Sequence, residues 1–471
     1  MRILVLESST TSAKAMLYDS ALGVLDVKTQ NYPPAFTDNA TQDAEGVFAQ
    51  TAALGKEICE GQQIDIISLC GTWHSVFAAD EDMKPLSRVL SWPFMGASAQ
   101  AAALRADEQF TRRYYHNTGC MVHAIYPAFK VLYLKEQGID TASCRFIGQG
   151  SYNFYQLTDK WLVSRCMASG SGLLNTHTLE YDEETLKLLG ITADQLGKLV
   201  DYKHTEPLSA KGAELLGLPE GTPVTTAHSD GGLNQAGAGA LKEGVMTFSV
   251  GTSAAIRLTT DHPILPEEPG TWCYYSPAAW LSGAATNGAT NCIDWVKNKF
   301  FDDSVSYNDI TEHEVDLDRL PIFLPFLYGE RCPGWKDARL GGFFDVSPNH
   351  TPYDFYFAVM EGVLFNVYQC YQVLTELNGV PKTIKLSGGI LKSRVWTQMC
   401  ADIFAHDMEC SRVEQTSTVG GAAVALVAGG EIESLEDFPM EADEVVHPNM
   451  EMHERYMKTF SRYLDWYRKT L

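Results

Sequence analysis

The chain has 471 residues, 45% hydrophobic and 20% charged, enough to bury a large core and to form two domains. Its formal net charge of −23 argues against nucleic acid or anionic membrane as a partner, because both would repel it. The 11 cysteines show neither a C-x-x-C pair nor a zinc-like Cys/His spacing, so they read as reduced and mostly buried.

The chain opens with an apolar strand at residues 3–6, too short before Glu7 for a secretory signal core. No apolar run approaches the roughly 20 residues needed to cross a bilayer, and the cytoplasm is the expected location. A polar turn, Ser8-Ser9-Thr10-Thr11-Ser12, leads into an alternating strand at 13–18, and Gly23 separates off a third. Lys14 reads equally as a phosphate contact or as a solvated strand residue. A helix is predicted over 44–60 and a buried strand over 64–70, ending at Gly71. Residues just past such a strand face the cleft of an α/β domain, which places Trp73 and His74 there. Residues 166–175 read as a helix running into a Gly/Ser loop, and 217–223 as a linker.

That linker delivers the chain to Thr225-Thr226-Ala227-His228-Ser229-Asp230-Gly231-Gly232, where a β-branched run meets an acidic residue, two glycines and a small-residue helix. Asp230 would stand at a strand-to-helix corner, a place for a general base, although Asp-Gly is also an ordinary turn dipeptide. Beyond Lys242-Glu243-Gly244 the opening unit recurs: strand 245–250, turn Gly251-Thr252-Ser253, strand 254–258. Gly/Ser/Thr turns offer backbone N–H groups and hydroxyls to an anion, and they also make plain hairpins. We therefore divide the chain into domains 1–243 and 244–471.

In the second half, residues 280–283 lead to a helix over 287–300 whose Gly288-Ala289 start could approach a nucleotide. The loop 329–335 carries Glu330 and Arg331, either an ion pair or substrate contacts. Thr351-Pro352 opens a long core helix that stops before Gly379, and a strand over 383–387 enters Gly388-Gly389 and a helix through Trp396. Gly420-Gly421 begins a close-packed helix, and Tyr456, Phe460, Tyr463 and Tyr467 mark a final amphipathic one. A Walker-type phosphate loop, G-x-S-x-G and H-E-x-x-H are all missing, which narrows the chemistry further.

Taken together, these motifs resemble the FGGY carbohydrate kinases, and within them the gluconokinase branch. The resemblance rests on Asp230-Gly231-Gly232, Gly251-Thr252-Ser253, Ser387-Gly388-Gly389 with Ser393 and Trp396, Trp73-His74-Ser75, His123 in its Thr118–His123 stretch, and residues 329–335. It implies an α/β fold of two actin-like, ribonuclease-H-like domains with a cleft between them. It implies Asp230 as catalytic base, and Trp73, His74, Trp92, His123 and Asp230 around the sugar. ATP would meet Thr10, Thr11, Lys14, Gly251, Thr252, Gly288, Gly388, Gly389 and Ser393, with Glu7 and Asp230 holding Mg²⁺. The expected partners are ATP and a small sugar or sugar acid, gluconate-like by preference, with a homodimer left open and neither nucleic acid nor membrane.

Two departures from the family pattern stand out. The usual first loop, Asp-x-Gly-Thr-Thr-Ser, is here Glu7-Ser8-Ser9-Thr10-Thr11-Ser12, and a Trp-x-Asp-x-Arg stretch has become Trp92-Pro93-Phe94-Met95-Gly96. The first moves a carboxylate by one methylene and crowds a backbone; the second removes a polar clamp. A pentulose kinase acting on xylulose or ribulose, or a degenerate sugar-binding regulator, are the alternatives these departures leave.

Overall fold

The computed structural model describes residues 1–470 apart from Asn39, Arg412, Glu414, Pro439 and Glu441. Two sheets organise it, and each is built around the same five-strand unit. In the first, β1 (Arg2–Ser8), β2 (Ser12–Asp19), β3 (Gly23–Asn31), β4 (Ile66–Gly71) and β5 (Pro223–Thr225) lie in the order β3-β2-β1-β4-β5. The β1–β2 and β2–β3 pairs are antiparallel, while β1–β4 and β4–β5 are parallel. Helix α1 (Asp230–Gly237) then starts the connection to the second sheet.

There, β6 (Val245–Val250), β7 (Ala254–Thr260), β8 (Trp280–Thr286), β9 (Thr383–Gly388) and β10 (Met408–Cys410) repeat the order as β8-β7-β6-β9-β10, with the same two antiparallel and two parallel pairings. Both polar turns seen in the sequence are therefore the hairpins β1–β2 and β6–β7. Strand β4 is buried along its whole length, as its unbroken apolar text requires of a central parallel strand. Helices flank the sheets, among them Ala44–Ile58 and the 27-residue Pro352–Asn378. The latter begins in a reciprocal Thr351/Asp354 capping box with proline in its first turn.

Two helices are exchanged between the sheets. Helix α1 follows the first sheet in sequence, yet its Gln235 side chain bonds Thr247 Oγ1 at 2.6 Å and Thr259 Oγ1 at 2.9 Å on β6 and β7. Helix α2 (Thr416–Ala428) belongs to the second half, yet Gly421 lies against Val5 and Ser68 of β1 and β4. The two helices cross where a Cβ on Gly420 would stand 1.9 Å from the Leu233 carbonyl oxygen and one on Gly237 2.0 Å from that of Thr416. Only glycine permits backbones to approach this closely.

The corners of both sheets converge at the carboxyl ends of the parallel strands, the customary ligand edge of such folds. Ser8 pairs with Gly71 there, Ser229 also pairs with Gly71, and Val250 pairs with Gly388. Cysteines behave as expected, since all 11 are buried and none is in a disulfide. No helix among the described residues is long and apolar enough to cross a membrane.

Candidate active site

Asp230 is the first residue of α1, beyond an N-cap in which Ser229 Oγ accepts from Gly232 N at 3.0 Å. Its Oδ1 accepts from Gly231 N at 2.8 Å and Trp73 N at 3.3 Å. Oδ2 has no partner among the described residues and is free to take a proton. The Asp-Gly dipeptide has a packing cause, because a Cβ on Gly231 would stand 2.5 Å from the Trp73 ring. Burial, and then the charge of Glu7, push the Asp230 carboxyl above its ordinary range, while the two N–H donors and Arg257 hold it back.

Asp230 opens on a cavity of about 230 Å³, whose lining includes Trp73, His74, Trp92, Tyr274, Arg257 and Arg331. His74 adopts φ of 65°, unusual for a side-chain residue, and its Nδ1 lies 2.5 Å from the Gly170 carbonyl oxygen. Burial, reinforced by the nearby Arg331 charge, pushes its imidazole down, so it is neutral. With Nδ1–H donating to that carbonyl, Nε2 is left as an acceptor. Beneath the pocket, fully buried Lys130 donates to the carbonyls of His74 at 2.8 Å and Ser91 at 2.7 Å, tying the two segments that carry His74 and Trp92. Trp92 is anchored in turn by its Nε1–H to Thr10 Oγ1 at 3.0 Å.

A larger cavity, about 630 Å³, adjoins the first through shared Asn234 and Ser253. Its lining includes Lys14, Gly251, Thr252, Gly388, Lys392 and Ser417, thus drawing on β2, the β6–β7 turn, β9 and α2. Glu7 lies at the boundary between the halves: its Oε2 accepts from Lys14 Nζ at 3.2 Å and from Ser417 Oγ at 2.7 Å. Oε1 is unengaged among the described residues. Ser9 folds its hydroxyl back onto the Ser12 carbonyl at 2.9 Å, so the extra atoms close the turn on itself.

Of the residues singled out in the sequence, the structure brings together Glu7, Lys14, Trp73, His74, Trp92, Asp230, Gly251, Thr252 and Gly388. Others stand beside the cavities. His123 engages both ring nitrogens, with Asp337 Oδ1 at 2.8 Å and Ile125 N at 3.1 Å, and its ring lies against Trp335. Thr10 braces Trp92; Thr11 is exposed and its carbonyl accepts from Tyr32 N at 2.8 Å. Gly288 serves close packing, since a Cβ there would meet Pro325 O at 2.3 Å; Gly389 starts a 3-10 turn under Thr290. Ser393 caps the helix Arg394–Phe404, accepting from Trp396 N at 3.3 Å.

Two arginines went unassigned in the sequence. Arg257 was visible as a cation inside the apolar strand β7, a position that needs a reason; Arg331 was left open together with Glu330. The structure separates that pair. Glu330 is buried against Arg339 at 2.9 Å and the Tyr467 hydroxyl at 2.5 Å, whereas Arg331 faces the cavity. Phe94, at the lost clamp position, turns away to pack on Tyr133 at 5.1 Å.

The chain matches the N-terminal domain model of the FGGY family of carbohydrate kinases over residues 2–237 and the C-terminal domain model over 246–429. It belongs to the FGGY family of carbohydrate kinases. Among similar proteins of that family is a gluconokinase of Bacillus subtilis, 30% identical over 461 residues, covering 92% of this chain and 89% of the relative. Two Lactobacillus acidophilus structures, one of a gluconate kinase and one of a ligand-bound xylulose kinase, each superpose with a TM-score of 0.94 at 27% identity, covering 99% of this chain and 98% of theirs. This FGGY protein is thus an ATP-dependent sugar kinase with the family's two-domain fold.

Proposed function

We propose that this kinase transfers the γ-phosphoryl group of ATP to the primary hydroxyl of a gluconate-like sugar acid, with Asp230 as general base. The observation that carries the reading is Asp230 Oδ2, a carboxylate oxygen without a partner among the described residues, in the lining of the smaller cavity one helical turn before Asn234, which both cavities share. The acceptor occupies the smaller cavity, its hydroxyls met by His74 Nε2 and its carbon face by Trp92 and Tyr274. ATP occupies the larger, with Lys14, Lys392, Gly251 and Thr252 along its phosphates. Asp230 takes the hydroxyl proton as that oxygen bonds to the γ-phosphorus, the bond to the β–γ bridging oxygen breaks, and ADP leaves.

The donor set fits Mg²⁺, which takes one or two carboxylates and completes its shell with phosphates and water. Glu7, through its unengaged Oε1, and Asp230 would hold it. Once bound, it would neutralise charge developing on the phosphates. The like-charge pair of buried Glu7 and half-buried Asp230 supports this reading, since a cation between them relieves their repulsion.

The domain division at 243/244 is part of the same proposal, supported by the β6 unit that begins at Val245. Cytoplasmic location accords with the free, buried cysteines. A pentulose such as xylulose is the second reading, favoured by the equal match to the Lactobacillus xylulose kinase. A panel of sugars, sugar acids and polyols, assayed for ADP formation with ATP and Mg²⁺, tests both. Turnover on gluconate and not on pentuloses is expected; the reverse preference would overturn the gluconate assignment.

A further inference from the structure

Arg331 stands in a chain of net charge −23 without an ion-pair partner among the described residues. Its Nε is buried with no hydrogen bond among the described residues, its guanidinium lies 5.8 Å from the centre of the Trp335 ring, and it lines the cavity. Leaving such a cation unpaired costs free energy unless a ligand supplies the anion. Arg257 and Arg331 both line this cavity with Asp230 and His74; the Arg257 charge acts on the Asp230 carboxyl, and that of Arg331 on the His74 imidazole. One cavity therefore holds both a proton acceptor and a guanidinium without an ion-pair partner among the described residues.

The loop carrying Arg331 is fastened from below. Glu330 pairs with Arg339 at 2.9 Å, accepts from Gly334 N at 3.1 Å and from the Tyr467 hydroxyl at 2.5 Å. Arg105 Nη1 donates to the Trp335 carbonyl at 2.9 Å, and Trp335 Nε1 to that of Gly270 at 2.8 Å. A planar fork carried on a loop fastened this firmly can bind a carboxylate with two parallel hydrogen bonds.

We infer that Arg331 is the specificity-determining residue that reads the C1 carboxylate of an aldonate whose far hydroxyl lies at Asp230. This rests on the acceptor-site assignment above and adds the direction in which the acceptor lies. The acceptor class is then a linear six-carbon sugar acid, in preference to its uncharged counterpart. Glucitol is the fitting comparison, being gluconate with the carboxylate replaced by CH₂OH.

The test compares kcat/KM for gluconate and glucitol in wild type, Arg331→Met and Arg331→Lys, each first shown to melt like wild type. Wild type should prefer gluconate. Arg331→Met should cut that preference roughly ten- to hundredfold, mainly through the KM of gluconate, the range for losing a charged hydrogen-bond partner. Arg331→Lys should retain more of it, since the charge remains. A wild type without the preference, a methionine variant that keeps it, or equal losses in both variants would overturn the assignment. Calorimetry with gluconate alone separates this from the phosphotransfer reading: binding lost in Arg331→Met supports Arg331 even if no acceptor turns over, and binding unchanged in that variant overturns it.

Discussion

Glu7 and Ser417, 410 residues apart, meet through a 2.7 Å hydrogen bond that joins the first strand of one half to a helix of the other. The contact holds Glu7 Oε2 and leaves Oε1 for the Mg²⁺ proposed above, so the longer Glu side chain is positioned from across the cleft. Glu7→Gln should raise the Mg²⁺ concentration for half-maximal activity about tenfold, and Ser417→Ala by less, as loss of one hydrogen bond to a charged acceptor allows. A magnesium titration at saturating ATP and acceptor reads both, and an unchanged midpoint in Glu7→Gln would remove Glu7 from the metal site.

Asp230→Asn keeps the shape and the contacts of Oδ1 with Gly231 and Trp73 but cannot accept a proton. We expect kcat to fall by about 10²–10⁴, the usual contribution of a positioned general base. Acceptor and ATP binding, measured calorimetrically, should survive. Near-normal turnover would refute the role of Asp230.

The acid limb of kcat/KM should lie above the ordinary aspartate value of 3.8, because burial and Glu7 raise the Asp230 carboxyl and catalysis needs its ionised form. Arg257 opposes that rise. Replacing it by Met removes a charge that favours the carboxylate, so the limb should move further towards alkaline pH. A shift to lower pH, measured in pH–rate profiles, would contradict the sign.

Gly420→Ala places a methyl against the Leu233 carbonyl, 1.9 Å from its oxygen, between two backbones that cannot both yield. Overpacking of this kind costs about 1–3 kcal/mol. Denaturant unfolding should show the loss, and activity should fall with it, because the crossing helix begins at Asp230. An alanine variant as stable as wild type would mean the helices can slide apart.

Glu361 is buried beneath the Met450–Lys469 helix with Oε1 unpartnered, and burial pushes it to about 8, against the pull of Arg455 and Arg462. Its folded-state value lies above the unfolded 4.5, so the protonated side chain's contribution to stability is whole below pH 4.5, declines as pH rises and is gone above about 8. Glu361→Gln removes this dependence. The variant should gain on wild type with rising pH, by on the order of 5 kcal/mol at pH 9. Melting curves from pH 5 to 9 that stay parallel would count against it.

Much of the fold was legible because local text and tertiary demand agree. The strand–hydroxyl turn–strand units, the Thr351-Pro352 helix start and the corner at Asp230 each combine period, capping and turn chemistry, and each stands where expected. Boundaries drifted where strands outran their apolar core: β8 continues to Thr286, so the following helix begins at Thr290 instead of residue 287. Arg257 and Arg331 were not legible as a site because their common cavity is made by segments far apart in sequence, and strand periodicity does not say which face looks across a cleft. The contacts of Thr10 with Trp92 and of His123 with Asp337 were not legible for the same reason.

The exchange of α1 and α2 also bears on how the polypeptide is made. The face of the first sheet around Val5 and Ser68 stays bare until residues 416–428 have left the ribosome, about 350 residues after Ser68. Throughout that interval the nascent N-terminal half presents an apolar surface for a chaperone to shelter, and release before the last helices emerge would leave it prone to clump.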